Sequence, residues 1–166
     1  MQTSSKPLLV VGYDGSELAN AALRHAAELF PGSAAVVITV WEPGLGAMIA
    51  PGAGLDMTGA APLPPDPKVV SEVDHAQEHH AEVVAREGAR IAGSLGLNAE
   101  PHAIPDEMDV ADAIVDVADE RDASAVVVGS HGTSGLRSRL LGGTSRRVLA
   151  HCTRPVVVIR SAQTGE

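Results

Sequence analysis

Short runs of aliphatic residues alternate along the chain with longer segments in which apolar residues recur every three or four positions. Leu8-Leu9-Val10-Val11 closes at Gly12, Ala125-Val126-Val127-Val128 closes at Gly129, and Ala35 to Val40 and Pro155 to Ile159 are nearly continuous. Aliphatic runs of this length, rich in β-branched residues and without polar alternation, predict strands covered on both faces. Between the first two, Ser16 predicts a helix cap, and Leu18, Ala22, Ala26 and Leu29 form a stripe that Pro31-Gly32 ends. A long helix is predicted from Lys68 to about Leu95, with Val84, Gly88, Ile91 and Leu95 on its buried line and Gly96 as its stop. Asn98 to Ile104 alternates polar and small residues around Pro101, which places that strand at a sheet edge. Asp109 opens a helix with Val110, Ile114, Val117 and Ala118 facing inward as far as Arg121, and Gly142 to Cys152 carries the last one.

Strand and helix therefore alternate throughout, which predicts an α/β fold with right-handed crossovers. The expected architecture is a doubly wound five-stranded parallel sheet of flavodoxin-like order 3-2-1-4-5, with helices on both faces. Its winding reverses between strands one and four, so a crevice is expected at their C-terminal ends, next to Gly12 and Gly129. At 166 residues the chain fits one domain, residues 1–166. The stretch from about 43 to 66 is dense in Gly, Pro and Ala and has no charge before Asp56; it is expected to be a partly mobile surface loop inside that domain.

Aromatic residues make up only 2% of the chain against 45% hydrophobic, so the core must be built from Val, Ala, Leu and Ile. A net charge of −9 argues against a general nucleic-acid binder or a ligand of anionic membranes. Cys152 stands alone and cannot form an internal disulfide. The polar start from Met1 to Pro7 does not resemble a signal peptide, and no apolar stretch is long enough to span a bilayer. A cytoplasmic location is expected.

The candidate chemistry lies between Gly129 and Ser145. Gly129 and Gly132 let the backbone turn tightly and approach a ligand. Gly142, Gly143, Thr144 and Ser145 begin a helix, whose free N–H groups and dipole favour an anion. Arg137, Arg139, Arg146, Arg147 and Arg154 crowd the same region of an acidic chain. They either attract phosphate or balance nearby carboxylates. The segment is not a Walker loop, since it holds no lysine, and the first strand is not followed by a dinucleotide fingerprint. His75, His79 and His80 invite a metal reading, but a site needs three or four ligands, and solvated helix surface is the expectation there.

The spacing Gly129, two residues, Gly132, nine residues, Gly142 resembles the ATP-binding members of the universal stress protein family, which follow the third glycine with Ser or Thr. Val11-Gly12-Tyr13-Asp14-Gly15-Ser16, Val128-Gly129-Ser130-His131-Gly132 and Arg154-Pro155-Val156-Val157-Val158-Ile159 also look like that family. The resemblance implies that Asp14 lies near a ribose and its phosphates, and that the backbone of Val40 holds adenine. It further implies that Gly129, Gly132 and Gly142 wrap ribose and phosphate, with ATP or another adenine nucleotide bound together with Mg²⁺. His131 lies inside the loop, where it contacts the ligand or orients the loop. One position departs from the pattern: the family hydroxyl is Gly143 here, for which Thr144 or Ser145 would have to substitute.

Homodimerisation through Val156 to Ile159 is likewise implied. The expected function is a stress-response or signalling protein that hydrolyses ATP slowly at most. The alternative is a member that has lost nucleotide affinity and acts as a protein-interaction module. An adenylate-transferring ligase would need a Ser-Gly-Gly-x-Asp-Ser loop after the first strand, which this chain lacks.

Overall fold

Side chains alternate along parallel strands, so a sheet built from aliphatic runs has two apolar faces, and each must be covered. Here each face has its own pair of helices. The computed structural model describes residues 6–44, 66–106, 109–132 and 141–160. In chain order the elements are β1 (Leu8–Gly12), α1 (Glu17–Leu29), β2 (Ala34–Trp41), α2 (Pro67–Ser94) and β3 (Asn98–Pro105). They are followed by α3 (Val110–Glu120), β4 (Ala125–Gly129), α4 (Gly143–His151) and β5 (Val156–Ile159). The strands lie in the order β3-β2-β1-β4-β5, all parallel, as the alternation predicts.

Leu9, Val11, Val37 and Val127 face α1 and α2, where they meet Ala22, Leu23, Ala26, Ala89 and Ala92. Val10, Val36, Ile38, Val126 and Val128 face the other way, onto Ala111, Ile114, Ala118 and Val148 of α3 and α4. The strands from β1 to β3 are thus wound with helices on one face, and the return through β4 to β5 is wound on the opposite face. Among the described residues, no helix is long and apolar enough to cross a membrane.

Two caps fall where the sequence places them, and a third is added by the structure. The Ser16 hydroxyl accepts from the Ala19 N–H at 3.1 Å, and the Asp109 carboxylate accepts from the Ala111 N–H at 2.8 Å. Asp66 caps α2 ahead of Pro67, accepting from the Lys68 N–H at 2.9 Å. Two predicted core positions move outward. Leu29 is 58% exposed and Leu95 38% exposed, because each stands in the last turn or cap of its helix, beyond the sheet. The buried line of α2 keeps the expected Gly88 and otherwise runs through Ala81, Ala85, Ala89 and Ala92, with Val84 and Ile91 half-buried at its margin. Small side chains let the helix axis approach the sheet closely. At Gly88 this is extreme: a Cβ there would lie 2.6 Å from Tyr13 Cδ1 and 2.8 Å from Val37 Cγ1.

β3 lies at one edge, with Pro101 beside Val37 in the register and Glu100 paired with Arg121 at 3.0 Å. β5 forms the other edge and carries only Val156, Val157, Val158 and Ile159. Of the stretch read as a loop at 43–66, residues 45–65 lie outside the described residues. At its near end the Gly44 N–H donates to Asp74 Oδ1 of α2 at 3.0 Å.

Candidate functional site

Where β1 and β4 run side by side, the winding of the sheet parts in opposite directions, and their C-terminal ends open into a crevice of about 690 Å³. β1 delivers Gly12, Tyr13 and Asp14 to it. The chain end is held there by two bonds to β2: the Tyr13 N–H donates to the Ile38 carbonyl at 2.8 Å, and the Thr39 hydroxyl donates to the Tyr13 carbonyl at 2.9 Å. Asp14 then accepts from the Ser16 N–H at 3.0 Å, and Gly15, at φ +78°, turns the chain into α1. This left-handed position suits glycine.

Tyr13 itself points the other way. It is buried under α2, and its hydroxyl donates to Asn20 Oδ1 at 2.9 Å. Burial first, then the nearby Glu87 and Asp14 carboxylates, hold its phenol above the ordinary value of 10.0, with Arg90 opposing them, so it is neutral at physiological pH.

β4 delivers Gly129, His131 and Gly132. Asp14 and Gly132, far apart in sequence, stand face to face: a Cβ on Gly132 would come within 2.8 Å of Asp14 Oδ2. Gly129 is also tightly enclosed, with Leu18 Cγ at 3.1 Å and the His131 carbonyl at 3.2 Å from where its Cβ would be.

The chain returns at Leu141, and the Ser130 carbonyl ties the return. It accepts from the Gly142 N–H at 2.7 Å and from the Ser145 hydroxyl at 2.9 Å. Ser145 is therefore turned inward, 2% exposed, and its hydroxyl closes the loop, while the residue still forms part of the crevice lining. Thr144 is exposed on the lining. Gly143 meets nothing within 4 Å of where its Cβ would be.

α4 begins with Gly142 as its cap and has no side-chain cap bond. The N–H groups of its first turn are the ones an α-helix leaves without internal partners, and Gly143, Thr144 and Ser145, which carry them, line the crevice. Two polar atoms beside them are sealed from solvent and have no hydrogen-bond partner among the described residues: Ser130 Oγ and His131 Nδ1. Buried polar atoms of this kind mark places that a ligand or water completes.

The opposite wall is apolar. Val40 ends the part of β2 that reaches the crevice, and Val110 and Ile114 of α3 and Val128 of β4 line it beside Val40. Val110 and Ile114 were read from the sequence only as core-facing helix residues. Their place in the lining follows from the topology, since α3 starts at the same end of the sheet where β1 and β4 stop.

The structure divides the arginine cluster. Arg147 pairs with Asp109 at 3.2 Å and Asp112 at 2.9 Å, and His151 also contacts Asp112 at 3.3 Å. Arg154 pairs with Asp119 at 3.1 Å and Asp122 at 2.6 Å. These pairs fasten α4 and the turn after it to α3, so the acidic face of α3 is not merely solvated. Arg146 lines the crevice. Arg137 and Arg139 lie outside the described residues. His75 and His79 are exposed on α2, 3.7 and 3.9 Å from Glu78 and Glu82 of the same helix.

The universal stress protein family model matches residues 8–160. The chain is 35% identical over 83 residues to universal stress protein YxiE of Bacillus subtilis, covering 50% of this chain and 49% of that protein. It thus spans about half the length of this curated relative. The hypothetical protein MJ0577 has the same fold, at a TM-score of 0.74 and 16% identity, with 96% of this chain and 99% of that one covered. The universal stress protein of Archaeoglobus fulgidus in complex with dAMP is 25% identical at a TM-score of 0.59, with 92% and 96% covered.

Proposed function

Since the chain belongs to the universal stress protein family, we propose that its crevice binds an adenine nucleotide, ATP above all, and that the bound state serves stress response or signalling in the cytoplasm. One observation carries the reading: Asp14, Gly129, Gly132 and the open start of α4 surround a single crevice with an apolar wall on its other side. The apolar wall of Val40, Val110, Ile114 and Val128 suits a purine face, while backbone N–H groups and glycine-cleared space suit ribose and phosphate. The dAMP complex of the Archaeoglobus fulgidus relative supports an adenine nucleotide in particular. The residues fit such a ligand, because among the described residues His131 Nδ1 is buried without a partner and the start of α4 has no side-chain cap. Mg²⁺ would enter with the phosphates and be met by the Asp14 carboxylate, in keeping with its habit of taking few protein ligands. No residue is assigned a catalytic role, and hydrolysis is slow at most.

Calorimetric titration of nucleotide-stripped protein with ATP and Mg²⁺ is expected to give a Kd on the order of micromolar, or about −8 kcal/mol. Absence of heat at millimolar ATP would overturn the nucleotide reading and leave the interaction-module alternative, which the missing hydroxyl at Gly143 favours.

We further infer a homodimer through β5. Its all-aliphatic sequence at an edge with no further strand among the described residues supports this, because such edges pair readily and a two-fold antiparallel pairing is self-complementary. Sedimentation at micromolar protein is expected to give twice the 17.0 kDa chain mass; a monomer under those conditions removes this assignment.

A further inference from the structure

Arg146 is the one permanently charged cation among the described residues that line the crevice, where Asp14 and Glu42 supply two carboxylates. Without it the charged side chains that a polyphosphate would meet among the described lining residues are all carboxylates. Its neighbours Arg147 and Arg154 are tied to carboxylates of α3, whereas Arg146 makes no ion pair or side-chain hydrogen bond among the described residues. It is exposed, one turn into α4. Positions three apart on a helix share a face, and helical side chains lean toward the N-terminus. Arg146 therefore lies on the same face as Gly143, with its side chain in reach of the space over it. That space is open, since a Cβ at 143 would meet nothing within 4 Å. His131 Nδ1, without a partner among the described residues, belongs to a residue packed against Gly142 at the same end of the crevice, a second sign that an acceptor belongs there.

We propose that Arg146 makes the crevice count phosphates: its guanidinium, laid across the gap left by Gly143, holds the outer phosphates of a nucleoside di- or triphosphate in place of the hydroxyl that position 143 lacks. The proposal rests on the nucleotide reading above and adds to it a preference among nucleotides. A guanidinium offers a planar fork of donors matched to phosphate oxygens, and it acts on charge that AMP carries least of.

The test is titration of the full chain with adenosine, AMP, ADP and MgATP, for the native sequence and for Arg146→Gln, at low and high salt. The native protein is expected to bind ATP at least about tenfold more tightly than AMP, one factor of ten per 1.4 kcal/mol. Arg146→Gln should weaken ATP about tenfold and AMP less than about threefold, so the ratio collapses, and salt should erode the native ratio in the same direction. Arg146→Lys should restore part of the preference. Adding Gly143→Ser to Arg146→Gln should recover ATP affinity, because a hydroxyl then fills the open space. Arg147→Gln, which removes a tie to α3, should leave the ratio unchanged. An unchanged ATP-to-AMP ratio in Arg146→Gln, with ATP still bound, overturns this proposal and spares the nucleotide reading. Failure of the native protein to bind any of the four overturns both.

Discussion

Gly88→Ala is expected to lower the thermal unfolding midpoint by about 4–8 °C, although alanine is the better helix former. At this position α2 passes directly over the Tyr13 ring, and the added methyl would stand 2.6 Å from Cδ1, 2.9 Å from Cε1 and 2.8 Å from Val37 Cγ1. A ring held by its hydrogen bond to Asn20 and a valine in the middle of the sheet cannot both withdraw, so the helix must lift or the ring must rotate. Overpacking of this kind costs about 3 kcal/mol at the upper end of its usual range. The gain in helix propensity returns about 1 kcal/mol. The remaining loss of about 2 kcal/mol corresponds to roughly 4–8 °C in a chain of this size. Gly93→Ala supplies the opposite sign in the same helix. It is exposed, a Cβ there meets nothing within 4 Å, and substitution should raise stability by about 0.5–1 kcal/mol. Scanning calorimetry of the two variants decides the matter: if both moved the midpoint upward, the close approach of α2 to Tyr13 would be wrong.

Gly132→Val should weaken ATP by at least about thirtyfold, or about 2 kcal/mol, while the melting midpoint stays within about 2 °C of the native value. The position is exposed, so no core packing is lost. Its Cβ would stand 2.8 Å from Asp14 Oδ2 and displace the carboxylate, and the branched methyls would then occupy the crevice beside it. One substitution thus disturbs both strand ends that the nucleotide reading joins. Retained affinity in a folded Gly132→Val would mean that the ligand is held elsewhere, and Asp14 would lose its assigned place with it.

The strand order and the presence of helices on both faces were legible because the aliphatic runs are short, separate and β-branched, and because Pro101 marks one edge. The caps at Ser16 and Asp109 were legible for the same kind of local reason. What escaped was set by approach rather than by pattern. Leu29 and Leu95 have the right period but stand in the last turn or cap of their helices, and beside the expected Gly88 α2 buries a row of alanines because it packs so close. At the crevice, Asp14, Gly129, Gly132 and Gly142 do converge. The fate of Ser145 was not readable, since its hydroxyl is claimed by the Ser130 carbonyl, a partner known only once the loop is closed. The division of labour among the arginines depends likewise on which carboxylates of α3 come within reach of α4.

The two margins of the sheet are chemically unequal, and this limits how large an assembly can grow by strand pairing. Along β3, Pro101 interrupts the row of N–H groups, and Glu100 and His102 put polar side chains beside it. Along β5 four aliphatic residues leave the row intact. A molecule with one competent margin and one incompetent margin behaves like a monofunctional monomer in polymer chemistry. In the proposed β5 dimer the first association would consume the reactive end, so growth by strand pairing would terminate at a pair.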